Sequence, residues 1–197
     1  MLKRFFDIIF SFIGLIISSP FLIIIAVLIV FDSKGGIFFK QIRVGKNNID
    51  FSLYKFRTMQ KNSDVKGLIT IGNKDSRITK VGLFLRKYKL DELPQFFNVF
   101  IGNMSIVGPR PEVRKYVEMY DKEQMKVLSV KPGLTDYASI EYINESEILG
   151  KVDEPEKVYY EEIIPAKLKL NLIYIKEQSF ITDLKIILRT LVKILNL

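Results

Sequence analysis

Two carboxylates stand side by side in Leu90-Asp91-Glu92-Leu93-Pro94-Gln95, and a little further on Gly108-Pro109-Arg110-Pro111 holds a guanidinium between prolines. Adjacent carboxylates and a stiffly held arginine suit metal-assisted chemistry at phosphorus. Each proline fixes its own φ, and Pro111 also restricts Arg110, so this side chain is presented from a backbone with little freedom. A guanidinium held in that way is well suited to bidentate phosphate binding. Pro94 is tolerated in a first helical turn, so Asp91 and Glu92 read as opening a helix, whose N-terminus attracts phosphate. Neighbouring helical residues diverge by about 100°; the two carboxylates therefore divide roles instead of converging on one point. An Asp-Glu pair alone more often caps a helix than performs chemistry. Arg110 lifts the pair above that reading. Arg57 and Arg86 offer further phosphate contacts if their elements converge there, and each is equally compatible with plain surface charge.

Composition narrows the chemistry. The chain of 197 residues has no histidine and no cysteine, which excludes imidazole bases, thiol nucleophiles, disulfides and thiolate metal sites. Any metal must be held by oxygen, which favours Mg²⁺ or Mn²⁺ over zinc. A formal charge of +8 calls for an anionic partner: nucleic acid, anionic lipid or a phosphorylated substrate. Charge alone suggests nucleic acid, and no binding motif supports it.

The elements that must position these residues start with a membrane segment. Ile8 through Phe31 carry no charge, and as a helix they would be about 36 Å long, against a hydrocarbon core of about 30 Å. The run is too long for the apolar part of a signal peptide, and no small-x-small cleavage site follows. Ser18-Ser19-Pro20 falls at its middle. Pro20 kinks a helix, and the two hydroxyls can satisfy the backbone groups so freed. Lys3 and Arg4 precede the run, and Lys34, Lys40, Arg43 and Lys46 follow it. The positive-inside rule wants both groups in the cytoplasm, which a re-entrant helix-break-helix over residues 1–31 permits. A simple kinked anchor is the alternative.

Residues 32–197 read as the globular part. Ile37 to Arg43 and Ile49 to Met59 form a β-hairpin, with Lys55 and Arg57 on one face and Phe56 on the other. Gln60 to Lys80, polar and containing Gly67, Gly72 and Asn73, reads as a mobile loop of a length often functional. Val81 to Leu90 reads as a basic amphipathic helix, and Pro111 to Val130 and Pro155 to Gln178 read as helices. From Ile181 onward, Lys185, Arg189 and Lys193 form one cationic stripe on an otherwise apolar helix. That helix either lies in a membrane interface or packs on the core. The class is α+β, mostly helical.

At these residues the chain resembles the bacterial sugar transferase family, the small monotopic phosphoglycosyl transferases. The resemblance rests on Ser19-Pro20, Tyr54-Lys55-Phe56-Arg57-Thr58-Met59, Asp75-Ser76-Arg77-Ile78-Thr79 and Val81-Gly82. It continues through Leu90-Asp91-Glu92-Leu93-Pro94-Gln95, Asn98-Val99, Gly102-Asn103-Met104-Ser105, Gly108-Pro109-Arg110-Pro111 and Lys131-Pro132-Gly133-Leu134-Thr135. It covers most of the chain, whose length matches the minimal catalytic unit. It implies transfer of a phosphosugar from a UDP-sugar to polyprenyl (undecaprenyl) phosphate at the cytoplasmic face of a bacterial membrane. In such proteins the residue matching Asp91 attacks the β-phosphorus, releases UMP and helps to hold Mg²⁺. The residue matching Glu92 supports the metal or acts as base. The resemblance also implies the re-entrant helix and leaves room for a homodimer. One stretch departs from the family pattern: Thr135 is followed by Asp136-Tyr137-Ala138-Ser139 and then by Glu141, Glu145 and Glu147, so the donor sugar is open. The rival to an enzyme is a non-catalytic, membrane-bound basic scaffold for anionic lipid or a partner protein.

Overall fold

The structure, a computed structural model, describes residues 2–61, 63, 69–72 and 75–196. Helix α1 (Leu2–Asp32) takes up the apolar segment and runs on through Pro20, in place of the two separate segments expected. Pro20 has no N–H for the Ile16 carbonyl, which accepts instead from the Ser19 hydroxyl at 2.8 Å. Ser18 Oγ likewise donates to Gly14 O at 2.6 Å. The buried positions Asp7, Ser11, Ser18, Ile25 and Ile29 form one helical stripe, and this stripe lies along the rest of the molecule. Towards the N-terminus, Asp7 Oδ1 accepts from Ser105 Oγ and Ile106 N, both at 2.9 Å. Towards the C-terminus, Ile25 and Ile29 pack with Phe56 and Leu85, and Asp32 Oδ2 accepts from Val81 N at 3.1 Å. The outward side leaves Phe21, Ile23 and Phe31 exposed. By length and composition α1 can cross a membrane.

β1 (Phe38–Val44) and β2 (Asp50–Phe56) form the expected antiparallel hairpin, with Phe38 opposite Phe56 and Val44 opposite Asp50. Phe56 enters the core as its alternation requires. The free edge of β2 is met by Asn98, which accepts from Tyr54 N at 3.0 Å and donates to Ser52 O at 2.7 Å. Of the polar loop, Gly67 and Asn73 lie outside the described residues; the described part includes the Asp75–Arg77 ion pair. α2 (Lys80–Lys87) is capped by Thr79, whose hydroxyl accepts from Gly82 N at 3.0 Å. Gly82 lets this helix seat on the strand exit, since a Cβ there would stand 2.1 Å from Thr58 O.

α3 (Gln95–Ile101) leads to a parallel pair absent from the sequence reading, β3 (Ser105–Val107) with β4 (Gly133–Thr135). The helix expected from Pro111 to Val130 is only α4 (Arg114–Val117) and a 3₁₀ segment, Gln124–Ser129. Between them Asp121 Oδ1 accepts from Glu123 N and Gln124 N, both at 2.8 Å, a local side-chain turn that competes with helix. α5 (Tyr137–Glu141) and α6 (Glu145–Leu149) follow. The expected helix from Pro155 is α7 (Pro155–Val158), continued by the π-helical Tyr159–Ile163 into α8 (Ile164–Glu177). The widened turn falls where Pro165 offers no N–H to the Glu161 carbonyl. α9 (Phe180–Leu195) ends the described chain. Its Ile186 is fully buried and Thr190 Oγ1 meets Thr135 Oγ1 at 2.6 Å, while Leu184, Leu188 and Leu195 stay exposed. The main core gathers Tyr116, Leu149, Ile163 and Leu168. The whole is a mostly helical α+β architecture.

Candidate active site

Asp91 and Glu92 sit on a 3₁₀ turn, Leu90–Glu92, instead of the first turn of an α-helix. The chain leaves α2 and reverses at Lys89, a left-handed residue with φ 56°. A 3₁₀ turn has three residues per turn, so Leu90 and Leu93 superpose. Both pack against the Ile25–Ile29–Phe56–Leu85 cluster. That pins the turn and directs Asp91 and Glu92 the other way, into a cleft of about 1630 Å³ that they line together with Lys55, Arg57, Arg86 and Arg110.

The neighbouring carboxylates are in different states. Glu92 is clamped: Oε1 accepts from Lys55 Nζ at 2.9 Å and from Arg110 Nη2, and Oε2 accepts from Arg110 Nη1 at 3.1 Å. Burial alone would raise its carboxyl, but Arg110 and Lys55 outweigh burial and hold it well below the usual carboxylate range. Glu92 in turn raises Arg110, which stays charged. Asp91 is only 6% exposed and accepts no hydrogen bond among the described residues. Burial pushes its carboxyl up, with Lys55 opposing and Glu92 adding to the rise. One carboxylate is locked and ionised; the other is bare.

Arg110 is presented by the β3–β4 pair. Its backbone N–H donates to Asp136 Oδ2 at 3.0 Å, and Gly133 N donates to Pro109 O at 2.9 Å. The two segments touch so closely that a Cβ on Gly133 would lie 2.1 Å from Gly108 N. Arg86 reaches the cleft from α2, with Nε on Thr58 Oγ1 and Nη1 on Thr70 Oγ1, both at 2.8 Å. Burial lowers it, and Asp91 is its largest opposing charge. Arg57 lines the same cleft, but its hydrogen bonds go to the loop after α1: to Gly36 O, to Ser33 Oγ at 2.6 Å, to Ser33 O at 2.8 Å and to Lys34 O at 3.3 Å. Arg110, Asp91, Glu92 and Arg86 are therefore brought together, while Arg57 anchors the C-terminal end of α1 beside them. Ser19 and Pro20 remain in α1 and are not among the residues that line the cleft. Sequence reasoning missed Lys55 as a site residue, although its alternation with Phe56 had placed it on the right face. It also missed Asp136, fully buried, which joins Arg110 to the α5 cap through Ser139 N.

A second, smaller cavity of about 250 Å³ lies between the start of α1 and α9. Of its charged groups, Lys3 and Asp183 are paired with each other, and Asp7 accepts from Ser105 Oγ and Ile106 N.

Comparisons with known proteins bear on the family of this chain. The family described as bacterial sugar transferase matches residues 1–197. A UDP-N-acetylgalactosamine-undecaprenyl-phosphate N-acetylgalactosaminephosphotransferase of Aeromonas hydrophila is 38% identical over 99% of this chain and 44% of its own length. A UDP-glucose:undecaprenyl-phosphate glucose-1-phosphate transferase of Klebsiella pneumoniae is 39% identical over 97% of this chain and 39% of its own. The chain thus spans less than half of these two relatives. An exopolysaccharide production protein, PSS, of Rhizobium leguminosarum bv. phaseoli is 37% identical over 98% of this chain and 94% of its own length.

Proposed function

We propose, from the premise that this chain belongs to the bacterial sugar transferase family, that it transfers a phosphosugar from a UDP-sugar to polyprenyl phosphate through a phosphorylated Asp91. An Asp91 oxygen attacks the β-phosphorus of the donor. The bond from that phosphorus to the bridging oxygen breaks, and UMP leaves with the electron pair. A phosphate oxygen of the lipid then attacks the same phosphorus and displaces Asp91, giving a polyprenyl-diphosphate sugar and the free carboxylate. Two displacements replace one hard step, without any histidine.

The observation that carries this reading is the contrast between the bare, buried Asp91 and the clamped Glu92. A carboxylate with no hydrogen bonds keeps its lone pairs for attack. One held as low as Glu92 is a weak base, so we assign Glu92 the holding of Arg110 and Lys55, which face the charge developing on the phosphates. Arg86 supports the same phosphates from α2. Mg²⁺ fits as an oxygen-bound partner. Among the described residues no three ligating side chains cluster, so Asp91 would share the ion with the diphosphate and water, a coordination habit of Mg²⁺. When bound, the ion supplies neutralisation of the diphosphate.

The acceptor's chain would run along the apolar part of the cleft, between Ile13 and Ile17 of α1 and Ile187 and Leu191 of α9. Both ends of α1 rest on one body, which supports a monotopic protein whose α1 enters and leaves the bilayer on the cytoplasmic side. In this placement Lys185, Arg189 and Lys193 of α9 face lipid phosphates at the interface.

The test is intact mass of the detergent-solubilised protein after incubation with UDP-sugars and Mg²⁺, without lipid acceptor. Wild type should gain one phosphosugar and release one UMP, and Asp91→Asn should do neither. Absence of an adduct across a broad donor panel would overturn the reading and favour the scaffold.

A further inference from the structure

The cleft continues past Arg110, between α5–α6 and α8. There Lys167 Nζ donates to Glu145 Oε2 at 2.7 Å. Beside them Glu112 accepts from Arg43 Nη1 at 2.7 Å and from the Tyr159 hydroxyl at 2.6 Å. All five side chains line the cleft. Lys167 is 9% exposed, and its ammonium lies 5.6 Å from the centre of the Tyr159 ring. The charge of Glu145 is felt by the Arg110 guanidinium on one side and by Tyr159 on the other, so this group adjoins the reacting centre. None of these residues takes part in the steps described above.

We propose that this arm, with Glu145 and Lys167 at its centre, binds the sugar ring of the donor and decides which sugar is accepted; the inference rests on the transferase reading. The charges are matched pair by pair, Lys167 with Glu145 and Arg43 with Glu112. The arm therefore has no surplus charge for a further phosphate. It offers donors and acceptors at hydrogen-bond spacing, which is what neighbouring sugar hydroxyls or an acetamido group require. The Tyr159 ring already receives the Lys167 ammonium and makes a T-shaped contact with Tyr116, whose centroid is 5.2 Å away; it is poorly placed to stack on uracil. A site built to hydrogen-bond a substrate group discriminates strongly against analogues lacking it. Glu145 also belongs to the stretch after Thr135 where the sequence departs from the family pattern, a suitable place for a preference of this chain's own.

The experiment follows UMP release by the full chain in detergent with polyprenyl phosphate. The donors are UDP-glucose, UDP-galactose and their N-acetyl counterparts, and inhibition by UMP is measured alongside. Glu145→Gln and Lys167→Met should each change the ratio of kcat/KM between the best and second-best donors by about tenfold or more. Inhibition by UMP should stay within about twofold of wild type, since UMP carries no sugar. Lys167→Arg should restore the wild-type donor order. Melting curves identify folded variants, and if Lys167→Met does not fold, Glu145→Gln decides, because the amide still offers Lys167 an acceptor. Folded, active variants with unchanged donor ratios overturn the proposal, as does a loss of UMP inhibition in step with every donor. A wild type that releases no UMP from any donor is a different result and overturns the transferase reading itself.

Discussion

Replacing each of the two neighbouring carboxylates by its amide should move stability in opposite directions. Asp91 is buried without a hydrogen bond among the described residues, and its carboxyl is pushed up by that burial. With its pKa higher folded than unfolded, the ionised group at neutral pH opposes folding. Asp91→Asn removes this penalty and should stabilise by about 1 kcal/mol, in the range of single stabilising substitutions, or about 2–4 °C in Tm for a chain of this size. Glu92→Gln does the reverse, because it leaves Lys55 and Arg110 repelling one another without the carboxylate between them. Breaking a buried pair costs about 3–5 kcal/mol. The lower end applies, because the Arg110 side chain keeps 31% of its area in solvent. About 3 kcal/mol corresponds to a fall of about 6–12 °C. The pH dependence follows from the signs. Glu92 is depressed, so its contribution is complete above its ordinary value of 4.5 and is lost as pH falls through the lower folded value. Asp91 is raised, so its penalty is complete above its folded value and disappears on acidification towards 3.8. Both differences from wild type should therefore shrink as pH is lowered. Thermal unfolding followed by circular dichroism in one detergent, stepped from neutral pH downward, measures all of this. Amides that shift Tm in the same direction would refute the division of states between the two carboxylates.

Three further outcomes are expected. Arg110→Lys keeps the charge and loses the fork that holds both oxygens of Glu92, and kcat/KM for the UDP-sugar should fall about 100-fold; a fall of less than threefold would remove Arg110 from the phosphate site. Gly133→Ala forces a Cβ to within 2.1 Å of Gly108 N. It should cost about 1–3 kcal/mol as an overpacked backbone contact, with UMP release lost in parallel because Arg110 is displaced; unchanged melting would show the strand contact to be soft. The chain has no cysteine of its own, so single cysteines at Leu2 and Asn196 can be probed in sealed vesicles with an impermeant maleimide. Both should label from the same face, and labelling from opposite faces would exclude the monotopic placement.

What the sequence made legible follows from how local each signal is. The apolar run, the hairpin and the last helix were readable because each is written in a continuous pattern, and Ser19 accepted the role its hydroxyl suggested at Pro20. β3 and β4 were not readable. Each has three residues, and they are paired through two glycines that lie far apart in sequence, so no periodicity announces them. The helix expected after Pro111 failed at Asp121, where a side chain took over backbone N–H groups that a helix would have used. In the site, the residue types were legible and their pairing was not. Three arginines looked alike as phosphate ligands, yet Arg57 is committed to the end of α1, and Lys55 stands where a fourth ligand was not sought.

The 3₁₀ turn explains why two adjacent acids can behave so differently. Had Leu90–Glu92 begun an α-helix, Leu90 and Leu93 would not have been eclipsed, and their shared anchorage in the core would not have fixed the direction of both carboxylates. As it is, the cations beside Asp91 find a closer partner. Lys55 and Arg110 are drawn to Glu92, while the fields of Lys55, Arg86 and Lys89 still reach Asp91 without hydrogen bonds, among the described residues, that would occupy its oxygens. Paired directly to Asp91, the same two cations would lower its basicity and take up the lone pairs that the proposed attack on phosphorus requires. In the proposed reaction Glu92 would therefore serve by competing for Lys55 and Arg110: it would keep positive charge at the site and leave its neighbour free to react.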